Sequence, residues 1–344
     1  MDATPADLGF AMPPAWAPHA ATLMAWPCRV ALWEDQLEAA KDEFAAVARA
    51  IAAFEPVLMA CPPGTAADVS RRVGPTEHGV EPLEIPIDDS WARDSGPVCV
   101  VDREGRVAAV GFTFNAWGRR WEPYADDARL PERVAAHLGM RLFHAPMVLE
   151  GGAIEVDGEG TLLTTEQCLL NPNRNPAMGR EAIEQTLRAY LGAERVVWLP
   201  FGQETDCGPA GTDGHIDGVA AFLAPGRVLL DVREDPASPE HRASRANLAA
   251  LRDARDARGR PIEVVAFDPG PFATVPYANH YLVNGGVIVP LGGDAAGDAA
   301  ALEALAAAYP GRELVGVPAR VLDAGGGGPH CITSPIPAGP VAAP

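Results

Sequence analysis

Ala220-Ala-Phe-Leu-Ala-Pro-Gly-Arg-Val-Leu-Leu-Asp-Val232 is the stretch on which the fold class turns. Two apolar runs, Ala220–Leu223 and Arg227–Val232, flank Pro225-Gly226, a dipeptide that marks a turn, so the segment predicts a hairpin. A helix over about Pro239–Ala257 follows. A strand pair feeding a helix is a unit, and the unit recurs in both directions along the chain.

Downstream, Tyr281–Val283 and Val287–Pro290 flank Asn284-Gly285, the strongest short hairpin signal. A helix at Ala296–Ala308 and a strand at Glu313–Val317 come after. Upstream, Val98–Val101 and Val107–Phe112 form another hairpin around Arg103-Glu104-Gly105. Thr161–Thr165, a helix over Glu181–Leu191 and a strand Val196–Leu199 repeat the order. Nearest the start, Leu37, Ala40, Phe44, Val47 and Ile51 recur at helical spacing, predicting a helix over about Glu34–Phe54. Val57–Cys61 is a strand stopped by Pro62-Pro63-Gly64, and Leu83–Ile87 reads as another. Helices alternating with strand pairs mean α/β or α+β, and the hairpins exclude a purely parallel sheet. No Pro/Gly/Ser-rich linker divides the chain. The rhythm without close sequence repetition suits a quasi-repeat built as one closed unit.

The bulk composition narrows the function. The chain has 344 residues, 48% hydrophobic and 21% charged, with a net charge of −19. That is a globular composition. Lys41 is the sole lysine, and the arginines are scattered, densest in Arg242–Arg260 where they alternate with acids as on a solvated helix face. Without a basic cluster, nucleic acid is not an expected partner. No apolar run approaches the ~18 residues of a membrane span, so no membrane partner is expected. Met1–His19 is acidic and proline-rich, without the basic and apolar order of a secretory leader. The six cysteines Cys28, Cys61, Cys99, Cys168, Cys207 and Cys331 show no CxxC spacing. Reduced thiols in a cytoplasmic chain are the simplest expectation.

Chemistry-bearing residues gather after predicted strands, beside glycines. The groups are Asp88-Asp89-Ser90-Trp91-Ala92-Arg93-Asp94, Glu150-Gly151-Gly152, Gly211-Thr212-Asp213-Gly214-His215-Ile216-Asp217, and Gly325-Gly326-Gly327-Gly328-Pro329-His330-Cys331. Loops at strand ends are the usual seat of function. A thiol after four glycines suits close approach of a ligand, and a neighbouring cation would activate it. A cysteine is more often a small buried hydrophobe, and a glycine run can be a plain turn. His215 and Asp217, two apart on an extended segment, face one way. They suit a general base with its orienter, a metal pair, or a capped turn; a metal would need further ligands that spacing does not supply. Trp91 reads as a core aromatic, Asp94 as a surface acid and Glu150 as a turn carboxylate when each is taken singly. Together they leave one thiol, one imidazole and three carboxylates, with no phosphate loop and no dinucleotide fingerprint. Such a set fits nucleophilic attack on a cationic carbon centre.

Several segments carry a family resemblance. They are Met24-Ala-Trp-Pro27, Trp91-Ala-Arg-Asp-Ser-Gly-Pro97, Phe114-Asn-Ala-Trp-Gly118, Leu149-Glu-Gly-Gly-Ala153 with Asp157-Gly-Glu-Gly-Thr161, Asn171-Pro-Asn-Arg-Asn-Pro176, Thr212-Asp-Gly-His-Ile-Asp217, Asn284-Gly-Gly-Val-Ile-Val-Pro290 and Gly326-Gly-Gly-Pro-His-Cys-Ile-Thr333. In this order, over nearly the whole chain, they resemble the agmatine deiminases of the porphyromonas-type peptidylarginine deiminase family, within the guanidine-modifying superfamily. The resemblance implies one domain over residues 1–344, a five-bladed α/β propeller of ββαβ units. It implies Cys331 as nucleophile, His215 as general acid/base, Asp94 and Asp217 as the pair gripping a guanidinium, and Glu150 as the acid that orients and charges His215. Trp91 and Gly328 would border the substrate. The implied reaction is agmatine and water to N-carbamoylputrescine and ammonia, with no metal or organic cofactor. The implied partner is a small cationic guanidine, and a homodimer is permitted.

The physics of that constellation is coherent. A guanidinium stays cationic and is a poor electrophile. Two carboxylates can hold it in fork geometry, and its charge favours a nearby thiolate. The sequence departs from the family's usual pattern at Gly218, at His280, in Ser334-Pro335-Ile336-Pro337, and through a small extension at Cys207–Gly211. All four are expected at the distal pocket that reads the substrate tail. The rival readings are a deiminase of peptidyl or free arginine or of a specialised guanidine, an amidinotransferase, a silent binder of cations, and a metal enzyme using His215 and Asp217.

Overall fold

The computed structural model describes residues 3–208, 211–270 and 273–343. Among them the strands form five small mixed sheets. Each repeats one plan. Ala220–Ala224 pairs antiparallel with Arg227–Asp231, helix His241–Asp253 crosses over, and Glu263–Phe267 returns parallel. The plan recurs with Val98–Val101, Val107–Thr113, helix Leu130–Leu138 and Leu142–Val148. It recurs with Glu155–Val156, Thr161–Thr165, helix Arg180–Leu191 and Arg195–Leu199. Tyr281–Val283, Gly286–Leu291, helix Ala295–Ala308 and Glu313–Pro318 make the next.

The remaining sheet is assembled from both ends of the chain. Thr333–Pro337 pairs antiparallel with His19–Ala25, helix Leu37–Ile51 crosses over, and Val57–Cys61 returns parallel. A fourth strand, Val80–Glu84, is added after helix Ala66–Val73. Thr333–Pro337 lies at a sheet edge, where its prolines have no ladder hydrogen bond to forfeit. The departure at Ser334–Pro337 is therefore a structural edge and lies off the distal pocket, contrary to expectation. The strand expected at Leu83–Ile87 is shifted as well: it runs over Val80–Glu84, held in register with Val57–Cys61 and ended by Pro86.

The helices bury one stripe each. In Leu37–Ile51 the buried residues are Ala40, Phe44, Ala45, Val47, Ala48 and Ile51, which is the periodicity predicted, with Leu37 half-buried. Full burial of Phe44 alone is worth about 2–3 kcal/mol, and Phe44→Ala would cost about 3–5 kcal/mol. A polar seam joins the first and last units: Glu55 accepts from Thr22 Oγ1 and from the Asn284 N–H, and meets His19 Nδ1 at 2.9 Å. No helix among the described residues is long and apolar enough to cross a membrane.

Candidate active site

Each junction between successive sheets delivers one piece of a single site. Asp94 comes from the turn before Val98–Val101, Glu150 from the turn after Leu142–Val148, and His215 and Asp217 from the loop before Ala220–Ala224. Asn279 precedes Tyr281–Val283, and Cys331 precedes Thr333–Pro337. All six are buried.

Gly152 shows how tightly they meet. A Cβ at that position would lie 2.6 Å from His215 Nδ1 and 2.9 Å from both Asp217 Oδ2 and Asp94 Oδ1. Only glycine leaves room for the three groups to converge. The same holds in the glycine run, where a Cβ on Gly327 would lie 2.8 Å from Cys331 Sγ and 2.8 Å from the Trp91 ring.

Asp94 is fixed by two donors, the Gly152 N–H at 3.0 Å and Trp117 Nε1 at 2.9 Å. Trp117 is aimed by a strained turn in which Ala116, Trp117 and Arg119 all adopt positive φ, pinned by the Gly118 N–H donating to Asn115 Oδ1. This explains the Phe114–Gly118 motif. Burial pushes the Asp94 carboxyl up to about 6, Asp217 and Glu150 adding to the effect and the positive His215 opposing it.

His215 stands between carboxylates. Its Nδ1 is 3.8 Å from Asp94 Oδ1 and its Nε2 is 3.6 Å from Glu150 Oε2. Neither ring nitrogen has a hydrogen-bond partner among the described residues. Burial works against its charge, but Asp94, Cys168 and Glu150 prevail and raise its pKa well above the ordinary value. The loop carrying it is locked from below. The His215 N–H reaches Asp206 Oδ2 and Thr212 Oγ1, both at 3.1 Å, and Asp213 (φ 67°) is held by Arg174 and Asn173.

Glu150 is fully buried. Burial alone would raise its pKa, yet Arg174 and His215 hold it below the ordinary range. Arg174 Nε donates to Glu150 Oε1 at 2.7 Å, and the same guanidinium donates to Asp213 Oδ2 and to the Thr212 carbonyl, each at 2.7 Å.

Asp217 accepts from His330 Nδ1 at 2.8 Å and lies 3.5 Å from Cys331 Sγ. Its pKa is lowered despite burial by His330, His215 and Arg93. His330 Nε2 in turn faces buried Glu155 at 3.6 Å. Burial pushes Glu155 up to about 8. Burial and Arg93 push His330 down to about 4, so the neutral imidazole donates from Nδ1. Burial, Asp217 and Asp94 raise the Cys331 thiol well above its ordinary value.

A cavity of about 720 Å³ opens onto Cys331, His215 and Asp217. Its outer wall holds Arg233, Asp235, Glu240, Asp268 and Asp323. Gly218 and Gly208 and Gly211 of the extension lie on this wall, while Pro209 and Ala210 of that extension lie outside the described residues. His280 does not reach it: the imidazole is buried, with Nδ1 3.0 Å from the Tyr277 carbonyl and Nε2 2.6 Å from the Tyr309 hydroxyl. Its expected place in the distal pocket is corrected on that ground. Trp91 stacks on Trp33 at 5.9 Å and backs the glycine run from outside the cavity wall. Gly328 packs on Asn279.

Glu150, Cys168 and His215 place a carboxylate, a thiol and an imidazole within 4.8 Å of one another, a set of zinc-type ligands. Arg174 already occupies Glu150 and sets a fixed positive charge against any cation there. Asn279, Arg174, Cys168 and Glu155 have no sequence signal of their own. Arg174 lies within Asn171–Pro176 and His330 beside Cys331, so both fall inside motifs in which other residues carry the recognisable chemistry.

Comparison with known proteins places this geometry. The sequence pattern of the family described as Porphyromonas-type peptidyl-arginine deiminase matches residues 11–337. The chain belongs to that family. Among relatives of this family, the agmatine deiminase of Stutzerimonas stutzeri is 40% identical, covering 98% of each chain, and that of Pseudomonas aeruginosa is 39% identical, covering 97% of each. The solved agmatine deiminase of Enterococcus faecalis superposes with a TM-score of 0.92 at 34% identity, covering 98% of each chain. A C. jejuni agmatine deiminase with substrate bound superposes with a TM-score of 0.85 at 25% identity, over 96% of this chain and 97% of that one. The deiminase family fold is thus a single α/β arrangement of small mixed sheets.

Proposed function

We propose that this protein hydrolyses the guanidino group of agmatine to a ureido group, releasing ammonia and leaving N-carbamoylputrescine. The observation that carries this reading is the convergence above Gly152, where one imidazole and two carboxylates each come within 2.9 Å of the place a Cβ would take, beside a cavity lined by His215, Asp217 and the Cys331 thiol. The five units, one per junction, read as blades closed around that point as a single propeller domain, which suits the repeated strand order. The relatives' activity supports agmatine as substrate.

The charges suggest how the thiol becomes reactive. Before substrate arrives, burial, Asp217 and Asp94 disfavour a thiolate at Cys331. A guanidinium seated between the two acids offsets their repulsion, and the Cys331 proton passes to solvent through the cavity as the substrate enters. The thiolate then attacks the central carbon, and the C–S bond forms as the C=N π pair moves onto nitrogen. Protonated His215 donates to the leaving nitrogen and the C–N bond breaks to give ammonia. The neutral imidazole next takes a proton from water and the hydroxide adds to the thiouronium carbon; the C–S bond then breaks to return the thiolate while the new hydroxyl gives its proton to solvent and becomes the ureido C=O. Glu150, charged by Arg174, keeps His215 cationic at the start of the cycle. The outer wall suits a cationic tail: the Asp323 carboxylate has no side-chain or backbone donor among the described residues.

The test is ammonia release from agmatine by wild type and Cys331→Ala, with a panel of guanidines carrying cationic, neutral and carboxylate tails. Loss in Cys331→Ala and a preference for the cationic tail are expected. Activity that survives the substitution sinks the nucleophile, and preference for a carboxylate tail transfers the reading to arginine. A new guanidine formed from an added amine would instead identify an amidinotransferase.

A further inference from the structure

Asn279 is the buried side chain in closest polar contact with the Cys331 sulfur. Its Nδ2 lies 3.1 Å from Sγ and its Oδ1 lies 3.4 Å from Sγ. The orientation of the amide is decided by its other partners. Oδ1 receives the His330 N–H at 3.1 Å and the Cys331 N–H at 3.4 Å, while Nδ2 also points at the Asp217 carbonyl at 3.4 Å. An oxygen facing two N–H donors and a nitrogen facing a carbonyl fix the amide one way round. Nδ2 therefore presents an N–H to the sulfur. A Cβ on Gly328 would lie 2.7 Å from Asn279 Oδ1, so the glycine is what lets loop and amide close together on the thiol.

The remaining groups facing the sulfur are acids, Asp217 at 3.5 Å and, farther off, Asp94. A protonated thiol can satisfy itself by donating to Asp217 Oδ2 or to Asn279 Oδ1. A thiolate cannot donate. It needs donors, and the described side chains in hydrogen-bond contact with Sγ offer one, Asn279 Nδ2.

We infer that Asn279 is a further catalytic residue, whose Nδ2 N–H carries the negative sulfur before attack and again when the C–S bond breaks. No new bond or electron transfer is involved; the amide acts on the charge that the sulfur gains in both steps. The inference rests on Cys331 being the nucleophile. Asp217 grips substrate from one side of the sulfur, and Asn279 steadies the sulfur from the other. Substrate affinity and sulfur charge are thereby assigned to different residues.

The experiment is alkylation of full-length protein by iodoacetamide across pH 6–10, without substrate, with modification of Cys331 itself read by peptide mass spectrometry. Asn279→Ala and the isosteric Asn279→Asp are compared with wild type. Losing one donor to the thiolate lowers the Cys331 alkylation rate about tenfold at each pH on the rising limb in Asn279→Ala, and further in Asn279→Asp, where an acid replaces the donor. The kcat for agmatine should fall with KM little changed. Alkylation rates within about twofold of wild type in both variants overturn the inference. Asn279→Asp keeps the size and the Oδ1 contacts, so it answers the question if Asn279→Ala fails to fold. Cys331→Ala, run alongside for ammonia release, separates the two failures. If it stays active the nucleophile reading is wrong; if it is dead while the alkylation rates coincide, only the role of Asn279 is wrong.

Discussion

Arg174→Met tests whether the histidine is charged from behind. The guanidinium is fully buried and makes 2.7 Å contacts to Glu150 Oε1, Asp213 Oδ2, the Thr212 carbonyl and Asn173 Oδ1. Methionine fills much of its volume and removes its charge. Breaking a buried ion pair from one side costs about 3–5 kcal/mol because the partner is left charged and unpaired. Here Glu150 keeps His215 and Asp213 keeps Arg120 and Asn173, so the lower end, about 3 kcal/mol, applies. With a urea slope of about 3 kcal/mol per molar or more for a chain this long, the midpoint falls by up to about 1 M. The pH dependence has a definite sign. In wild type Glu150 has a depressed pKa, so its contribution is present above the unfolded carboxyl value and is lost only as pH falls through the lower folded one. In the variant burial dominates, the pKa rises above the unfolded value, and acid relieves the cost. The gap between the two proteins should thus be widest near pH 7 and narrower at pH 5. Urea titrations followed by far-UV circular dichroism at the two pH values decide it. A gap under about 1 kcal/mol at pH 7, or one that widens on acidification, refutes the reasoning. Activity should fall even with stability restored by osmolyte, because a protonated Glu150 no longer supports the imidazolium.

Three further outcomes are expected. Gly152→Ala forces a methyl against His215, Asp217 and Asp94, so activity should drop at least about a hundredfold and overpacking should cost about 1–3 kcal/mol of stability; an active Gly152→Ala protein would mean that those three groups are not the working set. Glu155, with its pKa raised to about 8, contributes most below pH 4.5 and loses that contribution as pH rises to about 8, so Glu155→Gln should gain on wild type between pH 5 and 9 in urea midpoint, and a loss over that range counts against a buried neutral Glu155. The net charge of −19 should speed capture of a cationic substrate, so kcat/KM should fall as salt rises from 10 to 300 mM while kcat holds, and a flat kcat/KM removes any role for the distant acids.

The parts legible in the sequence were those with local causes. Asn284-Gly285 sits in a tight hairpin because the turn needs a left-handed residue, and Gly285 has φ 81°. Val57–Cys61 and Thr161–Thr165 fall where their apolar runs end at turn residues or polar loops. His19–Ala25 and Thr333–Pro337 were missed because they pair with each other across the whole chain, and Pro335 and Pro337 disguise the latter strand as a loop. The site divides in the same way. Cys331, His215 and Glu150 stand beside glycines that let backbones approach, which is a local signature. Asn279 and Glu155 sit in or beside ordinary apolar strands and matter only because other loops bring Cys331 Sγ to 3.1 Å and His330 Nε2 to 3.6 Å. His280, by contrast, stood out in the sequence and proved to be a core imidazole bonded to Tyr309.

The sheet built from both chain ends has a consequence for the order of assembly. Cys331 is two residues before Thr333–Pro337, and that strand has one neighbour, His19–Ala25, made some three hundred residues earlier. Closing so long a loop costs more chain entropy than closing the local hairpins, so its pairing is expected after theirs. Until it pairs, the acids of the site and its histidine stand on their own local turns while the sulfur has no strand to anchor it. The meeting of two distant segments is thus what brings the proposed nucleophile to its partners.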